Sequence, residues 1–184
     1  DGLELKSISA FRRTTGYFNR DADGSPVAIT HTSNYDYEHE QLSQELQFNG
    51  VTLAGRLKFA LGAYWFQEEG SDPLVVTFPA SFGTLSQDVA DIDNDSIAVY
   101  AQGTFSLTER LSLTAGLRYT RDEKSFVSDQ YLVTGSASPL VFGAPAGTLV
   151  ALVPRNSAVS RKFTNTSPRA SLDYKAADDL LLYA

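Results

Sequence analysis

The sequence predicts an all-β fold: an antiparallel up-and-down meander of long strands. Three observations carry this. Residues 94–128, NDSIAVYAQGTFSLTERLSLTAGLRYTRDEKSFVS, form two arms of alternating apolar and polar side chains, joined by the turn Leu107-Thr108-Glu109-Arg110. Connections along the chain alternate between long and short. No stretch sustains a helical period of apolar residues.

In the first arm Ile97, Val99, Ala101, Gly103 and Phe105 share one face, and Ala98, Tyr100, Gln102, Thr104 and Ser106 share the other. In the second, Leu111, Leu113, Ala115, Leu117 and Tyr119 oppose Ser112, Thr114, Gly116, Arg118 and Thr120. Period two is the signature of a strand with one apolar and one polar face. Both arms exceed the usual five or six residues of a soluble strand. Such length, with an aromatic near the end of the apolar face, points to a transmembrane β-barrel hairpin.

The same reading places strands at about 3–18, 41–49, 56–69, 95–106, 110–128 and 162–175, with a seventh beginning at Leu180. Short connections fall at 50–55, 107–110 and 176–179, and long ones at about 19–40, 70–94 and 129–161. Outer-membrane barrels have short periplasmic turns and long outer loops, whereas soluble hairpins usually stay short throughout. The long connections carry breakers, among them Asp21-Ala-Asp-Gly24-Ser-Pro26 and Asp72-Pro73. The third is apolar enough to fold on itself or hold a short extra hairpin. Tyr64, Trp65, Phe66 and Tyr119 near one end of the strands, and Phe48, Phe59, Phe105 and Tyr174 near the other, suit two interfacial aromatic girdles.

Composition narrows the classes. The chain has 184 residues and a net charge of −7, which argues against a nucleic-acid partner. With no cysteine it has no disulfides, thiolate metal sites or cysteine nucleophile. No apolar run approaches the roughly 18 to 20 residues of a membrane helix, and no signal peptide is seen. The mean hydropathy of −0.18 suits barrel strands, which offer lipid every second residue, and suits a soluble β protein equally. With no methionine, and with ends that read as mid-strand, the chain is expected to be a partial barrel domain, 1–184, of a longer protein.

Ser96-Ile-Ala-Val-Tyr-Ala-Gln-Gly-Thr-Phe105 followed by Leu111-Ser-Leu-Thr-Ala-Gly-Leu-Arg-Tyr-Thr-Arg-Asp-Glu-Lys124 resembles the barrel of TonB-dependent outer-membrane receptors. So do Ser43-Gln-Glu-Leu-Gln-Phe48 with Leu61-Gly-Ala-Tyr-Trp-Phe-Gln-Glu-Glu69 before it, and Phe163-Thr-Asn-Thr-Ser-Pro-Arg-Ala-Ser-Leu-Asp-Tyr174 after it. The resemblance implies a slice of a barrel of about 22 strands, an open curved sheet when isolated, without its plug domain and C-terminal strands. It implies a bacterial outer-membrane location and import of a scarce nutrient such as an iron–siderophore complex. Implied partners are outer-membrane lipid, the receptor's own plug and remaining strands, TonB through the missing N-terminal part, and a small-molecule ligand.

The polar faces supply the candidate residues. Arg56, Lys58, Tyr100, Gln102, Arg118, Arg169, Ser171 and Asp173 are expected to face the lumen, meeting plug or water. Tyr35, Tyr37 and His39, in Asn34-Tyr-Asp-Tyr-Glu-His-Glu40, are expected to contact ligand from an outer loop. Asp91-Ile-Asp93-Asn-Asp95 starts like a calcium loop, but Ser96 and Gln102 stand where that template needs Gly and Glu, so it reads as a polar rim. His31 and His39 have no close His or Cys partner, and the acids beside His39 read as a polar loop. Asn165-Thr-Ser167 fits a glycosylation sequon without meaning in a bacterial strand. No cofactor is expected, and no residue spacing marks an enzyme. Two other functions fit the pattern: a passive porin-type barrel, and a soluble extracellular β-sandwich or adhesin module.

Overall fold

The computed structural model describes residues 2–21, 23–26, 30–78, 83–134 and 147–184, except the side chains of 33–36, 83–91, 129, 131, 134 and 151–157. Its strands are β1 (Gly2–Asp21), β2 (His31–Thr52), β3 (Leu57–Ser71), β4 (Leu74–Phe78), β5 (Gly83–Ser106), β6 (Leu111–Thr134), β7 (Leu149–Ala177) and β8 (Leu180–Tyr183). They form one sheet in the order β1-β2-β3-β5-β6-β7-β8, every neighbouring pair antiparallel. The sheet stays open, since β1 and β8 do not pair with each other.

β4 is the continuation of β3. The β3 ladder ends with Glu38 opposite Ser71 on β2 and Ile92 opposite Gly70 on β5. β4 resumes between the same neighbours, with Asn34 and Gln87 both opposite Leu74. Asp72-Pro73 makes the break, because proline has no N–H to give the ladder.

The strands therefore run further than the alternation pattern indicates, and the expected long connections at 19–40, 70–94 and 129–161 are largely strand. The β1–β2 ladder reaches Asp21 opposite His31, and β6–β7 reaches Val133 opposite Leu149. The extra strand falls in the second connection. The physical reason is that these extensions lack a clean apolar–polar alternation. His31-Thr-Ser-Asn-Tyr-Asp-Tyr-Glu-His-Glu40 is polar on both faces, whereas Leu74-Val-Val-Thr-Phe78 and Leu149-Val-Ala-Leu-Val153 are apolar at nearly every position, so cross-strand hydrogen bonds and not a period of two mark them as strand. What remains of the connections is 22–30, 79–82 and 135–148 on one side and 53–56, 107–110 and 178–179 on the other, so the first and third stay longer than any short turn while 79–82 matches the turns at 53–56 and 107–110.

The short turns are built locally. Leu53, Ala54 and Gly55 all take positive φ, and the Arg56 N–H donates to Leu53 O at 3.2 Å. Thr108 Oγ1 accepts from the N–H groups of Arg110 and Leu111, at 3.2 and 3.0 Å. The Arg56 guanidinium joins these two turns, donating to Ser106 O and Leu107 O and lying 5.1 Å from the Phe105 ring.

Register sorts the side chains onto two unlike faces. One carries Leu57, Phe59, Leu61, Ala63 and Trp65 on β3, Ile97 to Phe105 at alternate positions on β5, and Leu111 to Tyr119 on β6. This band is nine residues deep, from Leu57 to Trp65, against the roughly nine to eleven that a strand needs to cross a bilayer. It is in the open: Ile97 is 56 % exposed and Leu117 53 %. Just beyond it the same face turns charged, with Glu69, Asp95, Arg121, Glu123 and Lys162. Of the expected girdle aromatics, Trp65 and Tyr119 lie at one margin and Phe59 and Phe105 near the other, while Tyr64 and Phe66 stack on the opposite, polar face.

A single layer leaves almost nothing inside. Ala98, Leu132 and Thr114 are the buried side chains among those described. The accessible surface is 12223 Å², whereas a compact domain of this 20.0 kDa mass exposes about 8,700 Å². Such a sheet needs apolar surroundings on its apolar face.

Candidate functional site

The polar face holds a hydrogen-bonded cluster at the level of the apolar band. Tyr100 on β5 stands directly opposite Gly62 on β3. A side chain at 62 would collide with the Tyr100 ring. Across this bare position the ring reaches β2, where its hydroxyl donates to Glu45 Oε1 at 2.8 Å. Gln47 Nε2 donates to the same oxygen at 3.0 Å. On the other side the Arg118 guanidinium lies 6.0 Å from the Tyr100 ring, near the limit for a cation–π contact, and its Nε donates to Thr120 Oγ1 at 3.1 Å. Thr104 and Thr114 share a hydroxyl bond at 2.9 Å, two same-face rows from Tyr100 and Arg118 toward the short turns.

Beside this cluster lies a trough of about 430 Å³, between Glu45, Tyr100 and Gln102 on one flank and Arg118, Ser167 and Arg169 on the other. Its floor is Gly116, which stands in one row between Gln102 and Arg169 and contributes no side chain.

Further toward the long connections a second cluster forms. Glu68 accepts from Gln41 Nε2 and Asn94 Nδ2, each at 2.6 Å, and His39 Nδ1 stands 3.9 Å from it. Hydrogen bonding from Gln41, then from Asn94, with the charges of His39 and Lys124, holds the Glu68 carboxyl below its ordinary value despite burial. The His39 ring lies over Gly70 and stacks on Tyr37, centroids 4.7 Å apart. Tyr37 also lines a cavity of about 280 Å³ with Gly16, Tyr17, Phe18 and Asp72. These arrangements bind by hydrogen bonds, ring contact and charge. Among the described residues no group of histidines and carboxylates suits a metal ion.

A family model described as TonB dependent receptor-like, beta-barrel matches residues 1–184. The chain belongs to that family. TonB-dependent receptors are transporters, not enzymes. The ferric yersiniabactin uptake receptor FyuA from Yersinia pestis has the same fold, with a TM-score of 0.74 at 15% identity over 98% of this chain. The match takes in 24% of the FyuA chain, so the present chain spans about a quarter of that receptor's length. The ferric-catecholate import receptor Fiu from E. coli K12 aligns at a TM-score of 0.37, with 13% identity, over 96% of this chain and 32% of Fiu. No curated protein matches. The open sheet is thus a slice of a TonB-dependent receptor barrel.

The structure brings together Tyr100, Gln102, Arg118 and Arg169 around the trough in this barrel slice. Lys58, Ser171 and Asp173 occupy the same face nearer the short turns, opposite Thr104, Thr114 and Ser112. Arg56 sits apart, in the turn, with its guanidinium on carbonyls and the Phe105 ring. Tyr37 and His39 lie on strand β2 and not on a loop, and the side chain of Tyr35 lies outside those described. His31 pairs with Asn19 Oδ1 at 2.9 Å, Asp93 accepts from Ser125, and Asn165 donates to Ser167.

Sequence reasoning missed Glu45, Gln47, Gly62 and Gly116. Gln41, Ser43, Glu45 and Gln47 are alternate positions on β2, so extending the polar-face count to that strand finds Glu45. Nothing local marks the two glycines, whose role depends on which ring the register sets across from them.

Proposed function

We propose that this chain is part of the wall of an energy-coupled receptor in the bacterial outer membrane that imports a scarce nutrient, an iron–siderophore complex. In this reading the apolar band meets lipid, the face bearing Tyr100, Arg118 and Glu45 lines the lumen, and the charged strand extensions stand outside the cell. The observation that carries it is the unlike pair of faces on a one-layer sheet of this family: a nine-residue apolar band ending in charge, backed by a hydrogen-bonded polar face. The cited FyuA is a ferric yersiniabactin receptor, which supports iron–siderophore cargo. Tyr37 and His39, stacked toward the outer end, belong to the cargo's entry surface, and Tyr35 with them. The plug fills the lumen and TonB drives its movement.

The test is deletion of the parent gene, followed by uptake of radioactive iron on catecholate, phenolate and hydroxamate carriers in iron-limited cells. Loss of uptake from one carrier class is expected. Unchanged uptake from every carrier, with full-length protein that lacks heat-modifiable gel mobility, would overturn the reading.

A further inference from the structure

We infer that the cavity beside Tyr37 is a binding site for an alkylammonium group, and hence that the cargo carries a positive charge. The inference rests on the receptor reading above and deepens it by naming the chemistry of the cargo. Three observations carry it. The cavity, of about 280 Å³, is lined by three aromatic residues, Tyr17, Phe18 and Tyr37, together with Asp72 and Gly16. Gly16 stands directly opposite Tyr37, and a side chain there would meet open space, so this row is left bare on the β1 side. Tyr17 and Phe18 are 81 % and 47 % exposed. They lie beyond Arg13, past the charged margin of the apolar band, so the surroundings of that band do not account for them. The third observation is charge. Between Lys58 and Arg110 the chain has eight carboxylates and no lysine or arginine. Segments 12–40, 66–95 and 121–162, which form the end with the long connections, hold fifteen acids and eight bases, whereas the rest of the chain holds seven of each. The net charge of −7 therefore belongs to that end.

An ammonium ion is drawn to the faces of aromatic rings by their quadrupole, and several rings around one cavity hold it better than one. Its alkyl substituents bury apolar surface against the same rings. Asp72 adds a formal counter-charge within the lining. Tyr37 is fixed in place, because it stacks on His39, whose own ring lies over Gly70 with Nδ1 3.9 Å from Glu68. The wider field acts in the same direction: an acidic end concentrates cations and repels anions. Of the bases nearby, Arg13 is paired with Glu38 and Glu40, Arg12 stands two rows nearer the band, opposite Gln41, and Arg20 lies past Phe18, opposite Thr32. Lys124 and Arg161, opposite each other on β6 and β7, are at least three strand ladders from β2. A polyanionic chelate meets the wrong sign of charge at this cavity, and an amine-bearing one meets the right sign.

The experiment titrates the purified full-length receptor in detergent with choline and with 3,3-dimethylbutan-1-ol, its neutral isostere, and reads saturation-transfer NMR. Choline should bind about tenfold more tightly than the isostere. Tyr37→Leu keeps apolar bulk but removes the ring face, and should cut that preference to about twofold. Asp72→Asn should cut it about threefold. Phe18→Leu takes the place of Tyr37→Leu if that variant fails to fold. Equal affinity for the two probes, or no transfer to choline, overturns the inference. The second arm links the site to cargo. In iron-limited cells, choline at about twenty times its Kd should lower iron uptake on the imported carrier at least about fivefold, while the isostere at the same concentration leaves it within about twofold. Uptake that choline does not change, or cargo that proves to be a polyanion, overturns the inference. Failure of the receptor reading is distinguishable: a choline preference kept by a parent protein without heat-modifiable mobility sinks that reading and upholds the ammonium site.

Discussion

The membrane-level half of the sheet and its outer extension are made of the same antiparallel ladder, yet they are held by different physics. In the inner half each strand has an apolar side, Leu57 to Trp65 or Leu111 to Tyr119, and a polar side with Tyr100, Glu45 and Arg118. In the proposed reading surroundings decide the orientation there, with lipid on one face and the lumen on the other. In the outer half no face is uniformly apolar, since Leu74 to Phe78 and the buried Leu132 stand among polar residues, and polar contacts run between neighbouring strands: Ser96 to Asp122, Glu68 to Gln41 and Asn94, Lys162 to Glu123, Arg13 to Glu38 and Glu40. The difference teaches that strand length and strand amphipathicity are separate properties. The first follows from pairing, the second from the medium.

The comparison breaks most readily with charge. Leu117→Lys places an ammonium in the middle of the apolar band and should destabilise the full-length barrel in lipid by about 2–4 kcal/mol. Ser125→Lys, eight positions along on the same face of β6 but past Tyr119 and the charged Arg121 and Glu123, should cost about 0–1 kcal/mol. Urea unfolding of the two variants in vesicles measures both. Equal costs would mean that the apolar face does not meet lipid.

The two bare glycines test the other face. Gly62→Val pushes the Tyr100 ring aside and breaks its bond to Glu45, a charged acceptor left at membrane level, so about 1–3 kcal/mol is expected. Gly70→Val displaces His39 in the outer half, where water can replace what is lost, and about 1 kcal/mol or less is expected. Tyr100→Phe separates ring displacement from the lost hydroxyl, because it leaves the ring over Gly62 and removes only the donor. A larger effect at Gly70 than at Gly62 would reverse the ranking of the two halves.

The same division explains what the sequence made legible. The hairpin at 94–128 declared itself because one face had to be apolar; its arms, its turn at 107–110 and its facing sets reappear in the register of β5 and β6. His31 to Glu40 did not, because a segment polar on both sides has no period to read, and only the ladders to β1 and β4 make it strand. β4 was hidden for a second reason: Asp72-Pro73 looks like a loop locally, yet the neighbours on both sides carry the strand path across it. For the candidate site, alternation gave Tyr100, Gln102, Arg118 and Arg169 as one set. It could not give Glu45 as Tyr100's partner, since that bond spans β3 and depends on Gly62 having no side chain. Arg56 was assigned by alternation to the lumen set, whereas the three positive-φ residues before it put it in a turn.

The smallest expected effect belongs to the outer half and depends on pH. The Glu68 carboxyl, beyond Trp65 and so outside the band, is held below its ordinary value of 4.5 chiefly by the hydrogen bond from Gln41, then by Asn94 and the nearby His39 and Lys124. A depressed folded-state value means the folded protein binds the proton less readily than the unfolded chain does. Glu68 therefore adds stability that is fully present above about pH 4.5 and is lost as pH falls through its lower folded value. Stability of the wild-type barrel should fall over that acid window more steeply than that of Glu68→Gln, whose amide can still accept from Gln41 but does not titrate. Urea midpoints of both proteins between about pH 6 and pH 3 measure the difference in slope. Parallel curves would show that water already screens this cluster, and that the outer half draws on its ladder hydrogen bonds and not on the charges aligned across them.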